Sequence, residues 1–347
     1  MTIYLETITT THSNPLSELI KDCKIIYSQF FHLIPMDDII EGILNKNKRI
    51  IAQSISKIDD EDPLSKEILK KIYPSTGKAI TIGFTGPAGA GKSTLIGKLV
   101  SHFKNFGFRI AILAVDPTSA ISGGAILGDR VRMPTTMDDD DIFMRSLGSR
   151  GASGGISKSL RNIIRILDAA GYDLIMVESV GAGQLEIEIS RVVNLTVVIF
   201  NPNTGDNVQA VKAGLTEIGD VYIVNKSDIE GATTLYLTLL DLIGELPRKP
   251  LIFKASAHSG EGLEELSKKL VDLINTDDWT LKKKIKERED LKAELKLMVI
   301  DQVREKSLQL LNSKNLEIDK LVDSMLNKSK DPYSAAEELS LLIFSSK

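Results

Sequence analysis

Along the first 76 or so residues, apolar positions recur at the spacing of a helix buried on one face. Ile39, Ile40, Ile43 and Leu44 form one such set, and Ile55, Ile58, Leu64 and Ile68 form a second. Asp62-Pro63 reads as the start of a helix, since proline suits a first helical turn. Pro74-Ser75-Thr76-Gly77 then breaks the pattern, so residues 1–76 are expected to be an N-terminal helical segment.

From about residue 79 the period changes. Short, continuously apolar, β-branched runs alternate with helical stretches: Ile80 to Thr85, Arg109 to Val115, Ile142 to Arg145, Leu174 to Glu178, Leu195 to Phe200, Val221 to Asn225 and Leu251 to Lys254. A strand apolar at every position is buried on both faces, as in a parallel sheet covered by helices. The expected fold is α/β: a doubly wound, mostly parallel sheet of about seven strands over residues 77–275. Residues 276–347 carry no strand signal. There Leu291, Leu295, Val299 and Val303 recur every four residues in a charged helix. A second helix is expected over Leu316 to Leu326, and a third from Asp331-Pro332. Such a stripe must bury itself on the core or on another subunit.

Composition narrows the field. A net charge of −4 over 347 residues supplies no basic field for nucleic acid. The single cysteine, Cys23, excludes an internal disulfide framework. No apolar run approaches the roughly 20 residues of a membrane span. The N-terminus has no secretory pattern and no arginine before Arg49, so a cytoplasmic protein is expected.

The chemistry is concentrated at strand ends. Gly86-Pro87-Ala88-Gly89-Ala90-Gly91-Lys92-Ser93-Thr94 is a full Walker A sequence between an apolar strand and a helix. Its glycines allow backbone N–H groups to converge on phosphate, and the helix N-terminus adds partial positive charge. Lys92 is expected to reach the β- and γ-phosphates, and the Ser93 hydroxyl to ligate Mg²⁺. Asn225-Lys226-Ser227-Asp228 follows a later strand and has the N-K-x-D pattern. The Asp228 carboxylate can accept from both N1–H and the exocyclic amine of guanine, donors that adenine does not offer there. Ser256-Ala257-His258 follows the last strand, where a small turn lets a backbone N–H approach the guanine carbonyl.

Between these lie candidate switches. Asp116 ends the second strand, where a carboxylate can hold magnesium waters or orient the attacking water. Glu178-Ser179-Val180-Gly181 has the E-x-x-G shape of a γ-phosphate sensor, with Gly181 offering its N–H and Glu178 in the magnesium shell. No glutamine follows Gly181 directly, and Gln184 lies three residues on, so intrinsic hydrolysis is expected to be slow and completed by a partner or a second subunit.

Together these segments resemble the MeaB/ArgK GTPases, chaperones of adenosylcobalamin-dependent methylmalonyl-CoA mutase. The resemblance is carried by Ile72-Tyr73-Pro74, the Walker A, Ala114 to Ser119, Ser122 to Met133, Phe143 to Ser146, Gly154-Gly155 and Val177 to Gln184. Gly205-Asp206, Gln209, Lys212 and Gly214 match the family's third switch. It covers residues 38–270 well and the tail loosely. It implies that Asp116, Asp129 and Glu178 surround magnesium and the γ-phosphate, and that Lys212 supports hydrolysis when the partner is bound. It also implies a homodimer through the helical tail. Asn203-Thr204 departs from the family's Gly-Ala, and residues 1–36 have no counterpart. The expected function is a GTP- and Mg²⁺-dependent chaperone that gates adenosylcobalamin loading and protection of the mutase or a related acyl-CoA mutase. Three other readings are a nickel-insertion GTPase, a kinase of a periplasmic amino-acid-binding protein, and a signal-recognition-type targeting GTPase, for which the eight methionines form no methionine-rich segment. Four scattered histidines and one cysteine disfavour the first, and the N-K-x-D pattern disfavours the second.

Overall fold

The computed structural model describes residues 34–117, 139–149, 155–179, 184–202, 215–244 and 250–344. They divide into two compact units, one running to Thr276 and the other beginning at Asp277.

The first unit is built on seven parallel strands: β1 (Ile80–Thr85), β2 (Ile110–Pro117), β3 (Ile142–Ser149), β4 (Leu174–Ser179), β5 (Leu195–Phe200), β6 (Val221–Val224) and β7 (Leu251–Lys254). Their order is β3-β2-β4-β1-β5-β6-β7. The seven apolar runs of the sequence are these seven strands. Side chains alternate across each strand, so Ile110 and Ile112 face one layer while Ala111, Leu113 and Val115 face the other. The first layer is formed by α4 (Lys92–Asn105) and α8 (Leu263–Ile274), which bury Leu95, Leu99, Phe103, Leu266 and Leu270. The opposite layer contains α5 (Gly155–Ala169), α6 (Gln184–Val192) and α7 (Ala232–Gly244).

The N-terminal helices add to that second layer. They are α1 (Met36–Leu44), α2 (Lys48–Asp59) and α3 (Pro63–Ile72). The second apolar pattern of the sequence is divided between α2 and α3, because Asp62 caps α3 by accepting from the Leu64 N–H at 2.9 Å. Ile39, Ile43, Ile51, Ile55, Ile68 and Ile72 are fully buried in one cluster with Leu160, Ile163 and Leu167 of α5. The chain then enters β1 through a turn held by Asp168. This carboxylate accepts from the N–H groups of Gly77 (2.5 Å), Lys78 (3.1 Å) and Ala79 (2.9 Å). Three charge-assisted bonds thus tie the approach to β1 to the end of α5.

The second unit comprises α9 (Asp277–Asn312), α10 (Asn315–Leu326) and α11 (Pro332–Phe344). Asp331 caps α11 by accepting from the N–H groups of Tyr333 and Ser334. On α9, Leu291, Leu295, Val299 and Val303 are all exposed, Leu295 by 64%. Among the described residues, no helix is long and apolar enough to cross a membrane.

Replacing the carboxylate that holds the entry to β1, Asp168→Ala, is expected to cost about 3 kcal/mol, since hydrogen bonds to charged groups contribute roughly 1.5–3 kcal/mol each and bonds sharing one acceptor do not add. Hydrogen exchange at the amides of 77–79 should rise sharply in this variant, and its first thermal transition should fall.

Candidate functional site

All seven strands run the same way, so their C-terminal ends line one edge. Register aligns Glu178 with Phe84 and with Ala114, Val198 with Thr85, and Val224 with both Phe200 and Lys254. The residues just past these points are therefore neighbours across the sheet: Asp116 on β2, Glu178 on β4, Gly86 after β1, Asn201 after β5, Asn225 after β6 and Ser256 after β7. The chain leaves β1 toward β2 on one side and passes from β4 to β5 on the other. A crevice at such a reversal is where open α/β sheets place ligands.

The loop after β1 is Gly86 to Gly91, and α4 starts at Lys92. Gly86 has φ +144°, and a Cβ there would lie 2.1 Å from the Ile199 carbonyl oxygen, so only glycine allows β5 to pass this closely. The Lys92 ammonium is buried and donates to the carbonyls of Gly86 (2.8 Å) and Pro87 (3.1 Å). Burial pushes it below its ordinary value, while Glu178 and Glu186 pull it back up. Ala90 and Ser93 are buried beside it, and Thr94 is exposed one residue into the helix.

The Ser93 hydroxyl donates to Glu178 Oε1 at 2.6 Å, joining the first turn of α4 to the end of β4. Both residues are buried, as is Asp116 on the adjacent β2. One hydroxyl and two buried carboxylates form a hard oxygen donor set of the kind magnesium takes while keeping several waters. Among the described residues there is no cluster of three or more His, Cys, Asp or Glu side chains suited to a metal. Asp129, Gly181 and Lys212, which the sequence also proposed, lie outside the described residues.

On the other side of β1, Asn225 is buried and bridges two loops. Its Nδ2 donates to the Ala90 carbonyl at 2.8 Å, and its Oδ1 accepts from the Ala257 N–H at 3.1 Å. Lys226, at φ +59°, sends its ammonium to the Gly89 carbonyl at 3.1 Å. Asp228 is exposed at the mouth. The Ser256 hydroxyl donating to it, aided by its own N–H and by nearby His258 and Lys226, holds its carboxyl below the usual carboxylate range. Ser256 is itself buried, and its N–H donates to the Glu261 carbonyl, shaping the turn that presents Ala257 and His258.

The motif residues within the described segments thus converge on one edge. Two further residues there carry no motif. Asn201 is fully buried and donates from Nδ2 to the Gly89 carbonyl at 3.0 Å. Glu186, in the first turn of α6, is buried and acts electrostatically on Lys92. One signal available in the sequence was a polar residue directly after the apolar run Leu195 to Phe200, the same position Asn225 holds after β6.

Two glycines of the loop should respond differently to a methyl group. Gly89 has φ +74° with open space around its Cβ direction. Gly89→Ala should cost about 1–2 kcal/mol of backbone strain. Gly86→Ala should cost roughly 1–3 kcal/mol more from the overlap with Ile199. Thermal unfolding of the two variants side by side checks the order.

Comparison with known proteins places the chain in a family. Residues 49–312 match the family model described as methylmalonyl Co-A mutase-associated GTPase MeaB. A Pyrococcus horikoshii protein named as a GTPase is 40% identical over 310 residues, covering 87% of this chain and 96% of its own. Escherichia coli GTPase ArgK is 33% identical, covering 67% and 74% of the two chains. The mouse mitochondrial methylmalonic aciduria type A homolog is 30% identical, covering 67% and 61%. In fold, the chain is similar to the crystal structure of LAO/AO transport system kinase, with a TM-score of 0.62 at 23% identity over 89% and 97% of the chains. With the family model spanning most of its length, the chain belongs to the MeaB family of GTPases.

Proposed function

We propose that this chain is a magnesium-dependent GTP-hydrolysing chaperone of an adenosylcobalamin-dependent acyl-CoA mutase, with methylmalonyl-CoA mutase as the first expectation. The guanine-nucleotide part rests above all on Asn225, which is bonded at once to the phosphate loop at Ala90 and to the base loop at Ala257. That pair of bonds sets the distance between a phosphate cradle and a base pocket. The mutase part is supported by the description of the matched family and by the mouse relative.

In this reading backbone N–H groups within 88–94 bind the β-phosphate, and Lys92 leaves the loop carbonyls for the β- and γ-oxygens of GTP. Asp228 accepts from guanine N1–H and its amine, while the Ala257 turn, with Ser256 and His258, faces the guanine carbonyl. Ser93, Asp116, Asp129 and Glu178 are the residues that would hold magnesium, which when bound would offset the negative charge of the phosphates. Water attacks the γ-phosphorus and breaks its bond to the β–γ bridging oxygen, giving GDP and phosphate. Gly181 and Lys212 serve as γ-phosphate contact and partner-dependent support. The exposed stripe Leu291, Leu295, Val299 and Val303 is where a second copy would bury apolar surface, giving a cytoplasmic homodimer. Adenosylcobalamin belongs to the partner.

Asp228→Asn should weaken GDP binding about a hundredfold, as two charge-assisted bonds are lost. It should raise affinity for XDP, whose base carries a carbonyl where guanine has its amine. Because Asp228 is held below the usual carboxylate range, it stays ionised as pH falls toward that range. GDP affinity should therefore hold from pH about 7 to about 5.

The isolated protein should turn over GTP more slowly than about one per second, at the lower limit of typical enzymes. Immobilised with a non-hydrolysable GTP analogue or with GDP, it should retain a cobalamin-dependent mutase subunit from cell extract to different extents. Recovery of a nickel enzyme or a transport protein instead would overturn the chaperone assignment and leave the GTPase family intact.

A further inference from the structure

β5 runs beside β1 with Val198 opposite Thr85. β1 ends there and turns into the phosphate loop, while β5 continues through Phe200 to Asn201, so Asn201 lies alongside the loop. It is fully buried, and its Nδ2 donates to the Gly89 carbonyl at 3.0 Å. The same carbonyl accepts from the Lys226 ammonium at 3.1 Å. On the other side of that peptide the Ala90 N–H donates to the Pro87 carbonyl at 3.2 Å. The 89–90 peptide is thus gripped at both ends of its dipole. Asn225 grips the next carbonyl, that of Ala90.

A planar trans peptide points its carbonyl and its N–H in opposite directions. Fixing the carbonyls of 89 and 90 outward therefore fixes which way the following N–H groups face. Glycines at 89 and 91, both at positive φ, leave this stretch with little intrinsic preference for one conformation. The donors from β5 and β6 supply the preference the sequence of the loop lacks.

We infer that Asn201 is a positioning residue for nucleotide binding, acting through the Gly89 peptide to hold the phosphate loop in its anion-receiving form. In this role it acts on the nucleotide through that peptide and not by direct contact. The inference rests on the reading of the loop as the phosphate site, and it adds a residue that lies outside the Walker A and N-K-x-D motifs.

The test measures GDP, GMP and IDP affinity of the full-length wild type, Asn201→Ala and Asn201→Asp, with magnesium present. Asp keeps the shape and the acceptor oxygen but removes the donor. Both variants should bind GDP about tenfold more weakly, the scale of one lost hydrogen bond. The loss should be smaller for GMP, which lacks the β-phosphate, so the GDP-to-GMP ratio should fall. The GDP-to-IDP ratio should hold, because IDP differs only at the amine expected to face Asp228. Unfolding midpoints without nucleotide should stay within about 2 °C of wild type. With Lys226→Met added, the combined loss should differ from the sum, as both side chains share one acceptor. GDP affinity within twofold of wild type, or equal losses for GDP and GMP, would overturn the inference. A wild type that binds no GDP would instead overturn the phosphate-site reading beneath it.

Discussion

A loop that offers its amide N–H groups to an anion must turn its carbonyls away, and buried carbonyls require donors of their own. Apart from the Ala90 N–H, which serves Pro87, the donors in this chain come from outside the loop or from the helix that follows it. Lys92 serves the carbonyls of Gly86 and Pro87, Asn201 and Lys226 serve Gly89, and Asn225 serves Ala90. Three of the four arrive from the ends of β5 and β6, on the far side of β1 from β4. The phosphate loop is therefore a product of the whole β1–β5–β6 arrangement as well as of its own glycines.

That dependence explains why the sheet must be parallel and buried. Every strand delivers its C-terminal residue to the same edge, and each does so with a precision set by register against its neighbours. Asp116 and Glu178 arrive on one side of the loop as buried carboxylates, and Ser93 bonds to the second of them. Asn225, Asp228 and the Ser256 turn arrive on the other side. Rigidity at the opposite end of β1 comes from Asp168, which fastens residues 77–79 to α5 and so joins the isoleucine-rich N-terminal helices to the same core.

Much of this was legible in the sequence because the signals are local. Continuous apolar runs mark strands buried on both faces, and all seven were found, although β2 extends through Pro117 because Asp116 and Pro117 still pair with Gly148 and Ser149 of β3. The Walker A, N-K-x-D and Ser-Ala elements announce themselves by spacing. The contacts that support them do not. Asn201 belongs to no motif, and its bond to Gly89 spans 112 positions of chain. Asp168 reaches back across 91 positions to Gly77. Glu186 reads as an ordinary acidic residue in a first helical turn until the fold buries it near Lys92. Such pairings depend on which strands become neighbours, which periodicity does not encode.

Hydrogen exchange of the full-length protein, with and without GDP and magnesium, tests most directly whether this edge is a guanine-nucleotide site. The amides of 88–94, 225–228 and 255–258 should slow together on addition of GDP, with no comparable change on addition of ADP. Equal protection by both nucleotides, or protection confined to the phosphate loop, would contradict the joined phosphate and base pockets on which the account stands.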